Sequence, residues 1–114
     1  MTKETMKYES WGTTYELSFR KGQYRNNKSL AIQIMCQEEG EDFIEPFCML
    51  TVNLAMAPDE NCAYIDTNNC PGDVINMLEQ KGIIEYTNRD QMSGFCIYPM
   101  FRFSEEWLNS IESM

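Results

Sequence analysis

The chain has 114 residues, 43% of them hydrophobic and 12% aromatic, with 18 acidic residues against 9 basic ones and no histidine. That length fits a single domain, residues 1–114, able to bury a core without covalent staples. The missing histidine excludes Ser–His and Cys–His nucleophilic dyads and histidine-ligated metal sites, and no apolar run approaches the ~18 residues of a membrane span.

The first ten residues, MTKETMKYES, hold no apolar leader segment, so a soluble cytoplasmic protein is expected. WGTTYELSF (11–19) alternates, with Trp11, Thr13, Tyr15, Leu17 and Phe19 on one face, as a half-buried strand does. KGQYRNNK turns the chain, and SLAIQIMC (29–36) alternates again through Leu30, Ile32, Ile34 and Cys36. QEEGED is a turn by composition, with Gly40 available for a positive φ. FIEPFCMLTVNL (43–54) is strand-like, and Pro46 places it at a sheet edge or a bulge because it lacks a ladder donor.

AMAPDEN (55–61) reads as loop and CAYIDT (62–67) as a short strand, with Cys62, Tyr64 and Asp66 on one face. The period then changes. NNCPGDVINMLEQKG (68–82) predicts a helix opened by Pro71 and Asp73, striped by Val74, Met77 and Leu78, and stopped at Gly82. IIEYT (83–87) leads to a turn, NRDQMSG, and a strand, FCIYPMFRF (95–103), with Phe95, Ile97, Phe101 and Phe103 on one face. A short C-terminal helix capped by Ser104, with Glu105 and Glu106 in its first turn, is expected to follow. The order β-β-β-β-α-β-β predicts an α+β domain: a mostly antiparallel sheet of about five to six strands packed on one main helix.

Five cysteines, Cys36, Cys48, Cys62, Cys70 and Cys96, are separated by 11, 13, 7 and 25 residues with no CxxC. Free, mostly buried thiols are expected, and neither a disulfide framework nor a zinc knuckle. Glu38, Glu39, Glu41 and Asp42 lack the ligand spacing of an EF-hand. No glycine-rich phosphate loop is present, so no metal or other cofactor is expected. Cys70, ahead of a helix, could be activated if exposed, and Asp66 with Cys70 forms the centre of an enzymatic reading. That reading has no base to support it, and a structural role for Cys70 is favoured.

Charge is unevenly distributed. Residues 1–28 hold six basic residues, including Lys3, Lys7, Arg20, Lys21, Arg25 and Lys28, against three acidic ones. From Ser29 to Gln80 there is no Lys or Arg, and ten carboxylates. Five of these, Glu38, Glu39, Glu41, Asp42 and Glu45, fall within residues 37–45. Two carboxylates ~6 Å apart repel by roughly 0.7 kcal/mol in bulk water, a small penalty that a cationic partner turns into attraction. The alternative is a solvated hairpin tip. Arg20, Lys21, Arg25 and Lys28, with Tyr24 among them, form a second candidate surface for nucleic acid, a weak signal in so acidic a chain.

WGTTYELSFRKGQYRNN, LTVNL, NCAYIDTNNCP and SGFCIYPMFRF together resemble a family of small uncharacterised proteins carried on conjugative transposons and plasmids of Gram-positive bacteria. The similarity covers roughly residues 6–103, and the chain looks like a type II anti-CRISPR protein. The resemblance implies a non-enzymatic inhibitor whose partner is the type II CRISPR effector nuclease or its guide RNA complex. Such nucleases hold nucleic acid in basic channels that read backbone shape. The five carboxylates of 38–45, chosen on charge alone, are expected to occupy such a channel and block guide RNA assembly or DNA binding. A nucleic-acid-binding accessory protein of a mobile element, working through the basic loop 20–28, is the alternative.

Overall fold

The computed structural model describes residues 5–114. Lys3 and the other residues before Thr5 lie outside the described residues. The elements are β1 (Thr5–Ser10), β2 (Thr13–Gln23), β3 (Leu30–Glu38), β4 (Glu45–Met49), β5 (Thr51–Val52), β6 (Cys62–Ile65), α1 (Gly72–Gln80), β7 (Ile84–Ser93), β8 (Cys96–Phe103), α2 (Glu105–Ser110) and β9 (Glu112–Ser113). Sheet 1 has the order β1-β2-β3-β4, antiparallel throughout, with β9 joining β2 in parallel at Arg20 and Lys21 beyond the reach of β1. Sheet 2 is the antiparallel array β5-β6-β8-β7.

This corrects the expected architecture. The chain builds two sheets rather than one, and its two helices, of nine and six residues, are minor elements. The segment 43–54, read as a single strand, changes sheets at Leu50. The Leu50 amide donates to the Ile32 carbonyl in sheet 1, and its own carbonyl accepts from Asp66 after β6, both at 2.9 Å. Next to it, the buried Thr51 hydroxyl accepts from the Ile32 amide at 3.1 Å and shares a hydrogen bond with the Tyr24 hydroxyl at 2.9 Å. A buried polar group is satisfied at the crossing, as burial requires.

Both sheets and both helices share one core. Leu17, Phe19, Ile32 and Ile34 of sheet 1 meet Ala63, Ile65, Phe101 and Phe103 of sheet 2. Val74, Ile75 and Leu78 of α1 complete it, with Ile75 buried in addition to the expected stripe and Met77 only partly buried. Trp107 of α2 spans the seam, with ring centroids 5.2 Å from Phe19 and 6.0 Å from Phe103. Ser104 caps α2 as expected, accepting from the Trp107 amide. Cys62, Tyr64, Leu54 and Met100 form a second, smaller cluster, so β6 is buried on both faces.

Two other expectations change, and one strand is added. Thr5–Ser10 is a strand, paired along its length with β2. The polar stretch NRDQMS is not a turn: β7 runs through it, with a bulge between Tyr86 and Arg89 where Asn88 takes φ 66. Its polarity reflects its place at a sheet edge, where solvated side chains blunt unwanted pairing. The actual turn is Gly94–Phe95, so Phe95 is fully exposed rather than in the core, with Met92 and Ile97 exposed beside it. Pro46 does lie on an edge strand opposite a register shift, and Gly40 does take a positive φ of 92.

Candidate partner-binding surface

β3 delivers Glu38 to one end of sheet 1, and β4 starts from Glu45 at that same end. Between them the Glu41 amide donates to the Glu38 carbonyl at 3.0 Å, closing a four-residue turn with Gly40 at its third position. That position needs a left-handed backbone, which glycine adopts freely. The Glu39 amide donates to the Thr14 carbonyl at 2.9 Å, and Gln37 Nε2 donates to the Glu41 carbonyl at 2.9 Å. The turn is therefore fastened to β2 and β3 by its backbone, which leaves its side chains free.

Glu38, Glu39, Glu41, Asp42 and Glu45 are all exposed. Among the described residues, none of the five forms an ion pair. Phe43 and Ile44 are exposed within the same loop, at 56% and 49%. A shallow cavity of about 300 Å³ lies between the turn and the start of β2, lined by Lys7, Tyr15, Glu16, Glu38 and Glu41 among others.

The sequence reading missed one residue at this end. β1 and β2 are joined by a two-residue turn, Trp11–Gly12, between the paired Ser10 and Thr13. Both turn residues have positive φ, 52 and 78, the arrangement of a type I′ hairpin, which favours Asn-Gly. Trp11 is fully exposed. It was expected in the core because period-2 alternation counts it with Leu17 and Phe19, but alternation stops where the turn begins. The signal that could have found it is Gly12, which marks a tight turn between two alternating runs. A bulky residue held left-handed with no burial in return is a conformational cost without a folding benefit, and such outliers cluster at functional sites.

The basic set is differently placed. Arg20 Nε lies 3.9 Å from Glu112, and Lys21 Nζ donates to the Leu108 carbonyl, so both serve the docking of the C-terminal segment. Tyr24 is tied to Thr51. Arg25 and Lys28 are exposed. The structure thus gathers all five acidic candidates at one tip and divides the four basic ones between internal contacts and solvent.

Asp66 and Cys70 both lie where β6 gives way to α1. One Asp66 carboxylate oxygen accepts from the Asn68 and Asn69 amides at 3.3 Å, the other from Asn69 Nδ2 at 2.8 Å. Cys70 is buried ahead of the Pro71 cap. Burial pushes the Cys36 and Cys62 thiols above their ordinary value. Among the described residues, no group of three or more Cys, Asp or Glu is arranged to hold a metal ion, and no helix is long and apolar enough to cross a membrane.

Residues 18–113 match a family described as a domain of unknown function, DUF4313. The chain belongs to that family. The DUF4313 match runs from within β2 to β9, so it contains the acidic turn and leaves the Trp11 hairpin outside. No curated protein and no solved structure matches the chain.

Proposed function

We propose that this DUF4313 protein is a non-enzymatic inhibitor that inserts its acidic tip into the basic nucleic-acid channel of a type II CRISPR effector nuclease. The observation that carries the reading is the tip itself. Five exposed carboxylates without ion-pair partners among the described residues stand beside an exposed tryptophan and two exposed apolar side chains. Carboxylates spread over a rigid turn offer a basic groove the charge that a nucleic-acid backbone offers. Trp11, Phe43 and Ile44 add the desolvated anchors that a protein partner needs and a phosphate backbone lacks. The choice of nuclease rests on the resemblance of WGTTYELSFRKGQYRNN and NCAYIDTNNCP to proteins of mobile elements.

The test is a pull-down with the tagged protein against the effector nuclease, alone and preloaded with guide RNA. Capture of the free nuclease and competition by guide RNA are expected if the tip occupies the guide channel. Capture of the loaded complex and competition by target DNA are expected if it occupies the DNA path. No capture in either state removes the reading.

A further inference from the structure

Two thiols from separate parts of the fold meet at the edge of sheet 1. Cys48 lies on β4, paired opposite Ile34, and is half-buried on an edge strand. Cys70 lies in the connection between β6 and α1 and is buried. They are 22 positions apart in sequence, and their Sγ atoms are 2.7 Å apart. A disulfide needs ~2.05 Å, so the approach that remains is less than an ångström. The Cys70 thiol is also turned toward the Met49 carbonyl, at 3.8 Å. Of the other cysteines, Cys36 lies on the neighbouring strand β3, paired opposite Glu45 and near enough for Cys48 to raise its thiol, while Cys62 on β6 and Cys96 at the start of β8 lie elsewhere.

We propose that Cys48 and Cys70 are a reversible dithiol–disulfide pair, a modification site oxidised by hydrogen peroxide. The Cys48 thiolate attacks the peroxide; a sulfur–oxygen bond forms, the oxygen–oxygen bond breaks, and the departing hydroxide takes up a proton as water. The Cys70 sulfur then attacks the sulfenic sulfur of Cys48, and the hydroxyl leaves with the Cys70 proton as a second water. Two thiols give up two electrons in all, and one peroxide becomes two waters.

The roles follow from geometry. Cys48 is reachable from solvent at the sheet edge and Cys70 is not. The contact between the two sulfurs lowers the Cys48 thiol below its ordinary value, and the same contact, with burial, raises Cys70. Cys48 is therefore the attacking sulfur and Cys70 the resolving one. The bond ties the strand that crosses between sheets to the approach of α1.

Reduced full-length protein is treated with equimolar hydrogen peroxide, and its intact mass and peptide links are read by mass spectrometry. The expected result is a loss of about 2 Da, two hydrogens per bond formed, with a link between Cys48 and Cys70 that dithiothreitol reverses. Trypsin leaves four of the cysteines on one fragment, because no Lys or Arg stands between Ser29 and Gln80. Chymotrypsin, cutting after Phe43, Phe47, Leu54 and Tyr64, separates them. Cys70→Ser should accumulate the sulfenic acid on Cys48, trapped by dimedone, and Cys48→Ser should form no link. The oxidised protein should melt on the order of 10 °C higher, as a crosslink closing a loop of this size implies. A link from Cys48 to Cys36 or to any other cysteine, or five thiols still free after treatment, overturns the proposal. Both readouts are taken on the wild-type chain and do not depend on whether the variants fold.

Discussion

Replacing Trp11 with asparagine should make the protein more stable and a poorer binder. Trp11 holds φ 52 at the first central position of a type I′ turn and is fully exposed. A side chain in the left-handed region costs an L-residue about 1–2 kcal/mol, and asparagine recovers much of that through local hydrogen bonding. The exposed indole buries nothing, so no burial is lost in the exchange. The net expectation is a gain of about 1 kcal/mol. With a urea m-value of about 2 kcal/mol/M for a domain of this size, the midpoint should rise by ~0.5 M with m unchanged. Binding to the partner should weaken by about 30-fold if Trp11 is an interface anchor, the loss expected for a hot-spot residue of about 2 kcal/mol. Urea titration followed by intrinsic fluorescence of Trp107 gives the first number and titration of the partner the second. An unchanged or lower midpoint would refute the claim that the turn stores strain, and unchanged affinity would refute the role assigned to the side chain.

Trp107→Ala should destabilise the fold by about 3–5 kcal/mol, because it removes the ring packed between Phe19 and Phe103; denaturant unfolding measures it, and a loss below about 1 kcal/mol contradicts the seam described above. Stability should also fall at alkaline pH. Burial raises the Cys36, Cys62 and Tyr8 groups and the contact with Cys48 raises Cys70, four groups against the one thiol, Cys48, that this contact lowers. The native state therefore keeps protons that the unfolded chain releases, so stability is full below the ordinary thiol value of 9.0 and declines as pH rises past it. Unfolding free energies measured under reducing conditions between about pH 8 and 11 check this, and a flat profile contradicts the buried-thiol assignment.

The hairpins with alternating patterns were legible in the sequence because their inner faces must be apolar: Leu17, Phe19, Ile32 and Ile34 are all buried. Helix α2 was legible from its cap, since Ser104 followed by two glutamates is a local signal that needs no tertiary context. The two-sheet architecture was not. It depends on Leu50 bonding to Ile32 on one side and to Asp66 on the other, contacts between residues far apart in sequence. β7 was obscured because an edge strand with a bulge is polar and looks like a loop. At the candidate site the charges could be read directly, since a run of carboxylates with a glycine has few places to go except a solvated turn. Trp11 was masked, because an aromatic in an alternating run points to the core, and against that pattern only Gly12 signals the turn that the pairing of Ser10 with Thr13 closes.

The central claim is that the acidic tip is the binding surface, and a salt-dependent affinity measurement tests it most directly. Wild-type protein and the quadruple variant Glu38→Lys, Glu39→Lys, Glu41→Lys, Asp42→Lys are titrated against the effector nuclease across a range of salt concentrations, after circular dichroism has established that both are folded. The account predicts wild-type binding that weakens steeply as salt rises. It also predicts a loss of at least about 100-fold in the variant at every salt concentration where the wild type binds, since like charges now face the basic channel. A variant that binds as tightly as the wild type, with the same salt dependence, contradicts it.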